Sequence, residues 1–283
     1  MVPEEVETWL VDNHFGIVSS SIEIPGGCIN HGLRIQTKSG LSFFLKVNQS
    51  APPDMFKREF EGLLELDHKD SPKVPKPYLC GREFLLLEDL NPSPGNNEYW
   101  TVFGRRLAAL HNYTNKEFGY TFDNYIGFTP QSNKFTENGY DFFIESRLLH
   151  VSKLVLNQKL ISNDTYQKIV KLTRRLEELI PYQPPSLLHG DLWVGNAISD
   201  STGAPALIDP AVHYGWAEAD LAMTALFGSF PDKFFASYEE VRTLESGYKS
   251  RFPIYNLYHV LNHVLLFGIG YLGLALDMLN QFE

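Results

Sequence analysis

Short runs of strand-forming residues dominate the first third of the chain. Phe43-Phe44-Leu45-Lys46-Val47 consists almost wholly of strong strand formers, and Ser39-Gly40 just before it is a turn signal. A short amphipathic pattern at the N-terminus and apolar residues at helical spacing near residue 60 predict two helices beside the strands. The predicted elements are a helix over Pro3–Val11, strands over Ile17–Ile24, Leu33–Thr37 and Leu41–Val47, a helix over Asp54–Leu66 and a buried strand over Phe84–Leu87.

The pattern becomes helical after a Pro/Gly/Asn-rich loop that ends near Asn97. An apolar run over Val264–Leu276 is too short for a membrane span and predicts a buried core helix. The chain is therefore expected to be an α+β protein with two lobes, residues 1–90 and 91–283. The other predicted helices cover Tyr99–His111, Tyr140–Leu156, Asp164–Ile180, Glu218–Phe227 and Phe234–Tyr248.

Composition narrows the class of partner. The chain has 283 residues, of which 43% are hydrophobic, enough for a sizeable core. The net charge is -10 and no basic run occurs, which argues against nucleic acid or an anionic membrane and weakly favours a cationic or amine-bearing substrate. Two cysteines make neither a disulfide framework nor a zinc pattern, and residues 1–10 show no signal peptide, so a reduced, cytoplasmic protein is expected.

The strongest candidate for chemistry is the string His189-Gly190-Asp191-Leu192-Trp193-Val194-Gly195-Asn196, which lies between two short apolar strands. Asp and Asn beside Gly are ordinary turn residues, but a second apolar strand here ends in Asp209, thirteen residues after Asn196. An acid, an amide and a second acid at such separations suit phosphoryl transfer. We expect Asp191 to face the acceptor hydroxyl, and Asn196 and Asp209 to bind Mg²⁺.

Two further features fit the phosphates of ATP. Gly26 and Gly27 lie in a turn between strands, where backbone N–H groups can approach phosphate oxygens, although such a turn is more often a plain hairpin. Lys46, in the middle of a strand, is expected to reach the α- and β-phosphates, and it needs an acidic partner on the helix that follows. Glu59 is the preferred partner and Glu61 the alternative, because the rotation of the helix is not fixed by the sequence.

These features together predict a two-lobed, protein-kinase-like fold. In such a fold adenine binds the connector between the lobes, so Glu88 and Leu90 are nucleotide-binding candidates by position alone. Only ten residues separate Asp209 from Asp220, which already lies in a helical pattern. A protein kinase needs a long activation segment there, so the expected acceptor is a small molecule or a small group displayed on a larger one.

On these residues the sequence resembles the fructosamine kinase (ketosamine kinase) family, within the aminoglycoside phosphotransferase and choline kinase-like superfamily. The resemblance is nearly full length, and its most specific element is the string His189 to Asn196. The other stretches that carry it are Gly26–Asn30, Phe44–Asn48, Leu107–His111, Phe118-Gly119, Asp123–Gly127 with Gln131 and Asn133, Phe142-Phe143 with Arg147-Leu148, Ile208–Ala211, Glu218–Met223 and Tyr255–His259.

The resemblance implies ATP-dependent phosphorylation of the 3-hydroxyl of ketosamines, the adducts formed when sugars glycate amines, including protein lysines. It implies that the phosphorylated adduct then breaks down and frees the amine, which is deglycation. Carried over by motif, Asp191 is the catalytic base and Asn196 and Asp209 bind magnesium. Lys46 with Glu59 holds the phosphates, and the turn formed by Gly26, Gly27, Cys28, Ile29 and Asn30 covers them.

Candidates for the sugar side are less specific. They are Asp123, Asn124, Tyr125, Trp193 and Trp216. Trp216-Ala217-Glu218-Ala219-Asp220 stands where the family commonly has His-Arg-Glu-Ala-Asp, so the preferred ketosamine is left open.

Cys28 carries a separate hypothesis. A thiol beside backbone N–H groups and a phosphate-binding lysine is expected to have a lowered pKa, which favours oxidation and an intermolecular Cys28–Cys28 disulfide. The protein would then be a monomer or a redox-dependent homodimer; an inert thiol filling the turn is the equal alternative. The competing functions are a kinase for another hydroxylated amine, of the aminoglycoside or choline type, and a redox-sensing nucleotide-binding pseudokinase.

Overall fold

The N-terminal lobe is a five-stranded antiparallel sheet with two helices. The computed structural model describes residues 2–25 and 29–283. The strands lie in the order β1-β2-β3-β5-β4, with antiparallel pairing throughout. Their bounds, with those of the two helices, are α1 Glu4–Asp12, β1 Val18–Ile24, β2 His31–Thr37, β3 Ser42–Val47, α2 Met55–Leu66, β4 Pro77–Cys80 and β5 Phe84–Glu88.

The two faces of this sheet are covered differently. Because side chains alternate along a strand, Phe43 and Leu45 of β3 point to one face, and Phe44 and Lys46 point to the other. The Phe43 face packs under α1 in a small hydrophobic cluster of its own, made by Val6, Leu10, Ile35, Phe43, Leu45, Phe84 and Leu86. The opposite face, which carries Lys46, is therefore the one turned toward α2 and the rest of the chain.

The second hydrophobic core joins the two lobes. It includes Phe56 and Leu63 of α2 and Leu85 of β5, and it continues into the helices of the C-terminal part. The predicted boundary between residues 90 and 91 stays a prediction; in the chain, β5 ends at Glu88 and the next helix begins at Tyr99.

The C-terminal part is mainly helical, with three short two-stranded sheets. Among the described residues, no helix is long and apolar enough to cross a membrane. The elements are α3 Tyr99–His111, β6 Asn124–Ile126, β7 Thr129–Gln131, α4 Gly139–Phe143, a π-helical turn Ile144–Leu148, α5 Leu149–Asn157, α6 Asn163–Thr173, α7 Leu176–Leu179, β8 Ser186–Leu188, β9 Ala197–Ser199, β10 Pro205–Leu207, β11 His213–Gly215, α8 Ala217–Met223, α9 Asp232–Glu239, α10 Tyr248–Phe267 and α11 Leu272–Asn280.

The predicted fold class is confirmed, but four helix predictions were wrong in extent. The helix predicted over Glu218–Phe227 ends at Met223. The helix predicted over Phe234–Tyr248 ends at Glu239, and α10 begins only after Gly247, whose φ is 73°. The apolar run near the C-terminus is divided at Gly268, whose φ is 92°. The helix predicted over Asp164–Ile180 is likewise broken after Thr173. Glycine adopts these left-handed angles without steric cost, so the chain can turn where the apolar pattern continues.

Candidate active site

The loop from His189 to Asn196 is anchored by a buried carboxylate from another element. It follows β8, and Asp220 of α8 accepts hydrogen bonds from the backbone N–H groups of His189, at 2.7 Å, and Gly190, at 2.9 Å. His111 of α3 lies 3.2 Å from the same carboxylate. Burial opposes ionisation of Asp220, but the hydrogen bonds that its carboxylate accepts from His111 and from the backbone N–H of Gly190 outweigh burial and lower its pKa. Asp220 therefore fixes the start of the loop as an ionised acceptor.

Glycine is required at the second position of this loop. Gly190 has a φ of 83°, and a Cβ atom there would collide with the carbonyl oxygen of Ala211. The backbone N–H of Ala211 donates to the carbonyl of His189 at 2.8 Å, so the loop and the segment after Asp209 lie directly against each other. This close approach brings the carboxylates of Asp191 and Asp209 near each other.

Asp191 and Asn196 are in direct contact. Asn196 Nδ2 donates to the Asp191 carbonyl at 2.8 Å and to its Oδ2 at 3.1 Å. Burial and then repulsion from Asp209 raise the pKa of Asp191 from 3.8 to about 7, while the Asn196 hydrogen bond opposes the rise. A carboxyl group with a pKa near neutrality can accept a proton from a hydroxyl group and release it again.

His189 ties the loop to the second acidic segment. Its Nε2 lies 2.9 Å from the carbonyl oxygen of Ile208, so Nε2 carries the proton and donates it. Its Nδ1 then accepts a hydrogen bond from the N–H of Asp191 at 3.3 Å. Burial lowers the pKa of His189, which keeps the ring neutral and suited to this double role.

Lys46 bridges two carboxylates. Its Nζ hydrogen-bonds to Glu59 of α2 and to Asp209, across a sequence separation of 163 residues. Burial alone would lower the pKa of Lys46, but the charges of Asp209 and Glu59 outweigh it and raise that pKa. Lys46 is therefore a firmly charged ammonium group.

The alternative partner, Glu61, binds elsewhere. Its Oε2 accepts from Nη1 of Arg58 at 2.9 Å, on the same helix. Glu59, the preferred partner of Lys46, is therefore the glutamate that contacts it.

Asp209 has the oxygen chemistry of a magnesium ligand, and this role stays a prediction. Its φ is 57°, a left-handed angle that a residue other than glycine rarely adopts, and its side chain is 44% exposed. Asn196 uses its amide nitrogen for Asp191, which leaves its oxygen for a cation. Within residues 2–25 and 29–283, no group of three or more His, Cys, Asp or Glu could hold a metal alone. Two hard oxygen ligands that need phosphate oxygens to complete the shell suit Mg²⁺.

On the nucleotide side only part of the predicted set can be placed. Gly26, Gly27 and Cys28 lie outside the described residues, so the phosphate-covering turn and the redox hypothesis stay predictions. Ile29 and Asn30 are held by Asn48, whose Nδ2 donates to the Ile29 carbonyl at 2.9 Å and to Asn30 Oδ1 at 3.1 Å.

The connector candidates occupy the expected place in the chain. The Glu88 carboxylate is bound by Lys73 at 2.7 Å, and the Leu90 side chain is buried. Their backbone groups remain the candidates for adenine, as a prediction.

The five sugar-side candidates fall into different environments. Trp193 is half-buried within the loop, and its backbone N–H donates to the Asp191 carbonyl at 3.1 Å. Trp216 is 4% exposed and packs among Phe118, Tyr140, Phe143 and Tyr255, which favours a role in the core.

The other three side chains form hydrogen bonds within the protein. Asn124 is buried and donates to the Val212 carbonyl at 2.8 Å. The Tyr125 hydroxyl donates to Asp54 at 2.6 Å, and Asp123 accepts from the N–H of Asn133 at 2.7 Å. The sugar-side role of all five residues stays a prediction.

Sequence reasoning overlooked two functional contacts. One is the carboxylate of Asp220, which binds the backbone of the loop from His189 to Asn196. Its only signal in the sequence was its place after the apolar strand that ends in Asp209. The other is Asn48, which follows Lys46 by two positions and binds Ile29 and Asn30.

With this geometry established, similar proteins bear on the identity of the chain. The family model described as fructosamine kinase matches residues 6–282. A probable ketoamine kinase of Synechocystis is 41% identical over 91% of this chain and 88% of its own length. A chloroplastic protein-ribulosamine 3-kinase of Arabidopsis thaliana is 35% identical over 100% of this chain and 88% of its own.

Solved structures agree with this. A protein named as a fructosamine-3-kinase from Thermobifida fusca has a TM-score of 0.90 and 30% identity, covering 99% of both chains. A choline kinase of Streptococcus pneumoniae has a TM-score of 0.65 at 16% identity, covering 99% of both chains, which shows the protein-kinase-like fold alone. From its sequence and its fold, the chain belongs to the fructosamine kinase family.

Proposed function

We propose that the protein is an ATP-dependent kinase that phosphorylates the 3-hydroxyl of ketosamines, on small amines or on protein lysines. The observation that carries this is the contact of Lys46 with both Glu59 and Asp209, beside the pair Asp191 and Asn196. Relatives named ketoamine kinase and protein-ribulosamine 3-kinase support the acceptor class.

The roles of the side chains follow from charge and position. The acceptor hydroxyl oxygen attacks the γ-phosphorus of ATP, the bond to the β,γ-bridging oxygen breaks, and Asp191 takes the hydroxyl proton. Lys46 binds phosphate oxygens, and Glu59 holds its ammonium group in place. Asn196 and Asp209 would hold Mg²⁺, which neutralises charge on the phosphates when bound.

A small acceptor is consistent with the chain after Asp209. The ten residues between Asp209 and Asp220 contain β11, and α8 has begun by Ala217. This leaves no long segment on which a peptide could dock. We propose that only the ketosamine group of a glycated protein enters the site, and that the 3-phosphate then leaves and frees the amine.

The setting of the activity is also a proposal. With only two cysteines in the chain, a reducing compartment such as the cytoplasm suits it. A monomer, or a homodimer that depends on the redox state of Cys28, is the expected assembly.

The test is ATP consumption with a ribulosamine, a fructosamine, unglycated lysine and choline. Wild type is compared with Asp191→Ala and with Asp164→Ala, an exposed acid of α6 as matched control. Turnover with ketosamines, lost only in Asp191→Ala, is expected, with ³¹P NMR locating the new phosphate on the 3-oxygen. Turnover of choline and not of ketosamines would contradict the proposal.

A further inference from the structure

Helix α2 carries a polar stripe that is separate from its catalytic face. Asp54, at its start, and Arg58, Glu61 and Glu65 recur at intervals of three and four, so they share one side of the helix. Glu59, the partner of Lys46, lies about a third of a turn around the helix from this stripe. A contact that fixes the stripe therefore also fixes the direction in which Glu59 points.

The stripe is held at its N-terminal end by Tyr125 of β6. The Tyr125 hydroxyl donates to Asp54 Oδ1 at 2.6 Å, while Asp54 Oδ2 accepts from Arg58 at 2.9 Å. The hydrogen bond from Tyr125 is the chief cause that lowers the pKa of Asp54. The Arg58 guanidinium lies 4.5 Å from the ring centre of Phe122, three residues before Tyr125. A cation over an aromatic face adds to the attachment.

The stripe is held again at its C-terminal end. Tyr214 of β11 donates its hydroxyl to Glu65 Oε1 at 3.0 Å, and Tyr120 donates to Oε2 at 3.4 Å. Asp54 and Glu65 are eleven residues apart, about 16 Å along the helix axis. Glu59 lies between these two attachments, so the helix can neither tilt nor rotate without breaking one of them.

The same residues also hold the segment that carries Asp209. Gly119 and Tyr214 exchange backbone hydrogen bonds at 2.9 and 2.8 Å. Asn124 donates to the Val212 carbonyl at 2.8 Å, and a Cβ on Gly62 of α2 would come within 3.1 Å of Val212. Residues 119–126, which we call the brace segment, thus contact both α2 and the strand that follows Asp209.

We propose that Tyr125 and Tyr214 are positioning residues for the Lys46–Glu59 pair. The brace segment fixes the position of α2, a role that the activation segment has in protein kinases. This rests on the proposed function. In protein kinases the lysine–glutamate pair must form for activity, and helix position controls it. Here two phenol–carboxylate bonds hold the helix without any modification, so the site is permanently assembled.

A double-mutant cycle tests whether the tyrosines act through Glu59. Tyr125→Phe/Tyr214→Phe removes both hydroxyls and keeps both rings. It is measured in the wild-type and the Glu59→Gln backgrounds, for Mg·ATP affinity and for kcat and KM with each substrate. We expect kcat/KM for ATP to fall about tenfold in wild type and less than about twofold in Glu59→Gln, because residues in one network are not additive. The KM for the ketosamine should not change.

Tyr140→Phe is the matched control, because it removes a phenol that donates to the Ile180 carbonyl at 2.8 Å, away from α2. Equal losses in both backgrounds, no loss, or a rise confined to the ketosamine KM would overturn the proposal; the last would indicate substrate contact. If the double variant does not fold, Tyr125→Phe alone enters the cycle. Should wild type turn over no ketosamine, the proposed function fails, yet the Mg·ATP affinities still test the coupling.

Discussion

Replacing Asp191 by Asn should remove activity and stabilise the fold in a pH-dependent way. Asp191 is half-buried near Asp209, and desolvation together with repulsion from Asp209 raises the pKa of its carboxyl group from 3.8 to about 7. The folded protein therefore keeps a proton that the unfolded chain releases, so stability falls as pH rises between these two values. Asparagine keeps the shape and can still accept the Asn196 hydrogen bond, but it carries no charge.

The magnitude follows from the shift. A rise of three pKa units lowers the free energy of unfolding of wild type by about 4 kcal/mol above about pH 7, and by about 1.5 kcal/mol already at about pH 5. The free energy of unfolding of Asp191→Asn should therefore exceed that of wild type by about 2–3 kcal/mol more at about pH 8 than at about pH 5. For a chain of this size that difference is an additional rise in Tm of about 5–10 °C.

The assay is thermal unfolding of both proteins across this pH range, without nucleotide and with a chelator, because a bound cation would lower the pKa. Asp220→Asn is the matched control. The pKa of Asp220 is lowered, so its ionised form adds stability that is lost as pH falls, and its variant should be destabilised at neutral pH. A Tm difference between Asp191→Asn and wild type that is equal at both pH values would refute the reasoning.

Three further outcomes are expected. Glu59→Gln should lower kcat/KM for ATP about 10- to 100-fold and Glu61→Gln less than about twofold, because Glu59 contacts the buried ammonium group of Lys46 and Glu61 does not; steady-state kinetics separate them. Gly190→Ala should cost about 2 kcal/mol or more in urea unfolding, since its φ is 83° and the new methyl group meets a backbone carbonyl. Arg251→Met should cost about 3–5 kcal/mol in the same assay, because it leaves the buried carboxylate of Glu218 unpaired; a loss within about 0.5 kcal/mol would contradict this.

The sequence predicted those parts of the site whose residues are close together in the chain. Asp191 and Asn196 share one loop, so their spacing alone places them in contact. Lys46 was predicted because a charged residue among strand formers must leave one face of a sheet. Its partner could only be narrowed to two acids, because the rotation of α2 depends on contacts with residues far away in the chain.

The role of Asp123-Asn124-Tyr125 shows the same limit. Its contact with the sugar stays a prediction, but the structure shows that the hydroxyl of Tyr125 binds Asp54, 71 residues earlier. Asn124 binds Val212, 88 residues later. Neither partner leaves a periodic or local signal in the sequence, so the pattern could indicate an important loop but not what the loop contacts. The helix end before Gly268 was missed for a different reason, because the apolar pattern runs on through this glycine.

The core shared through α2 has a consequence for chimeras between relatives. A cut at residue 90 separates the expected nucleotide-binding part from the rest, but it divides one hydrophobic core, since Phe56, Leu63 and Leu85 belong to the same core as residues of the C-terminal helices. An N-terminal lobe grafted from a relative would bring foreign side chains into that core and lose its packing. By contrast, α1 and the sheet face beneath it form their own cluster, so this layer is the part of the lobe that can be exchanged between family members without repacking the other half.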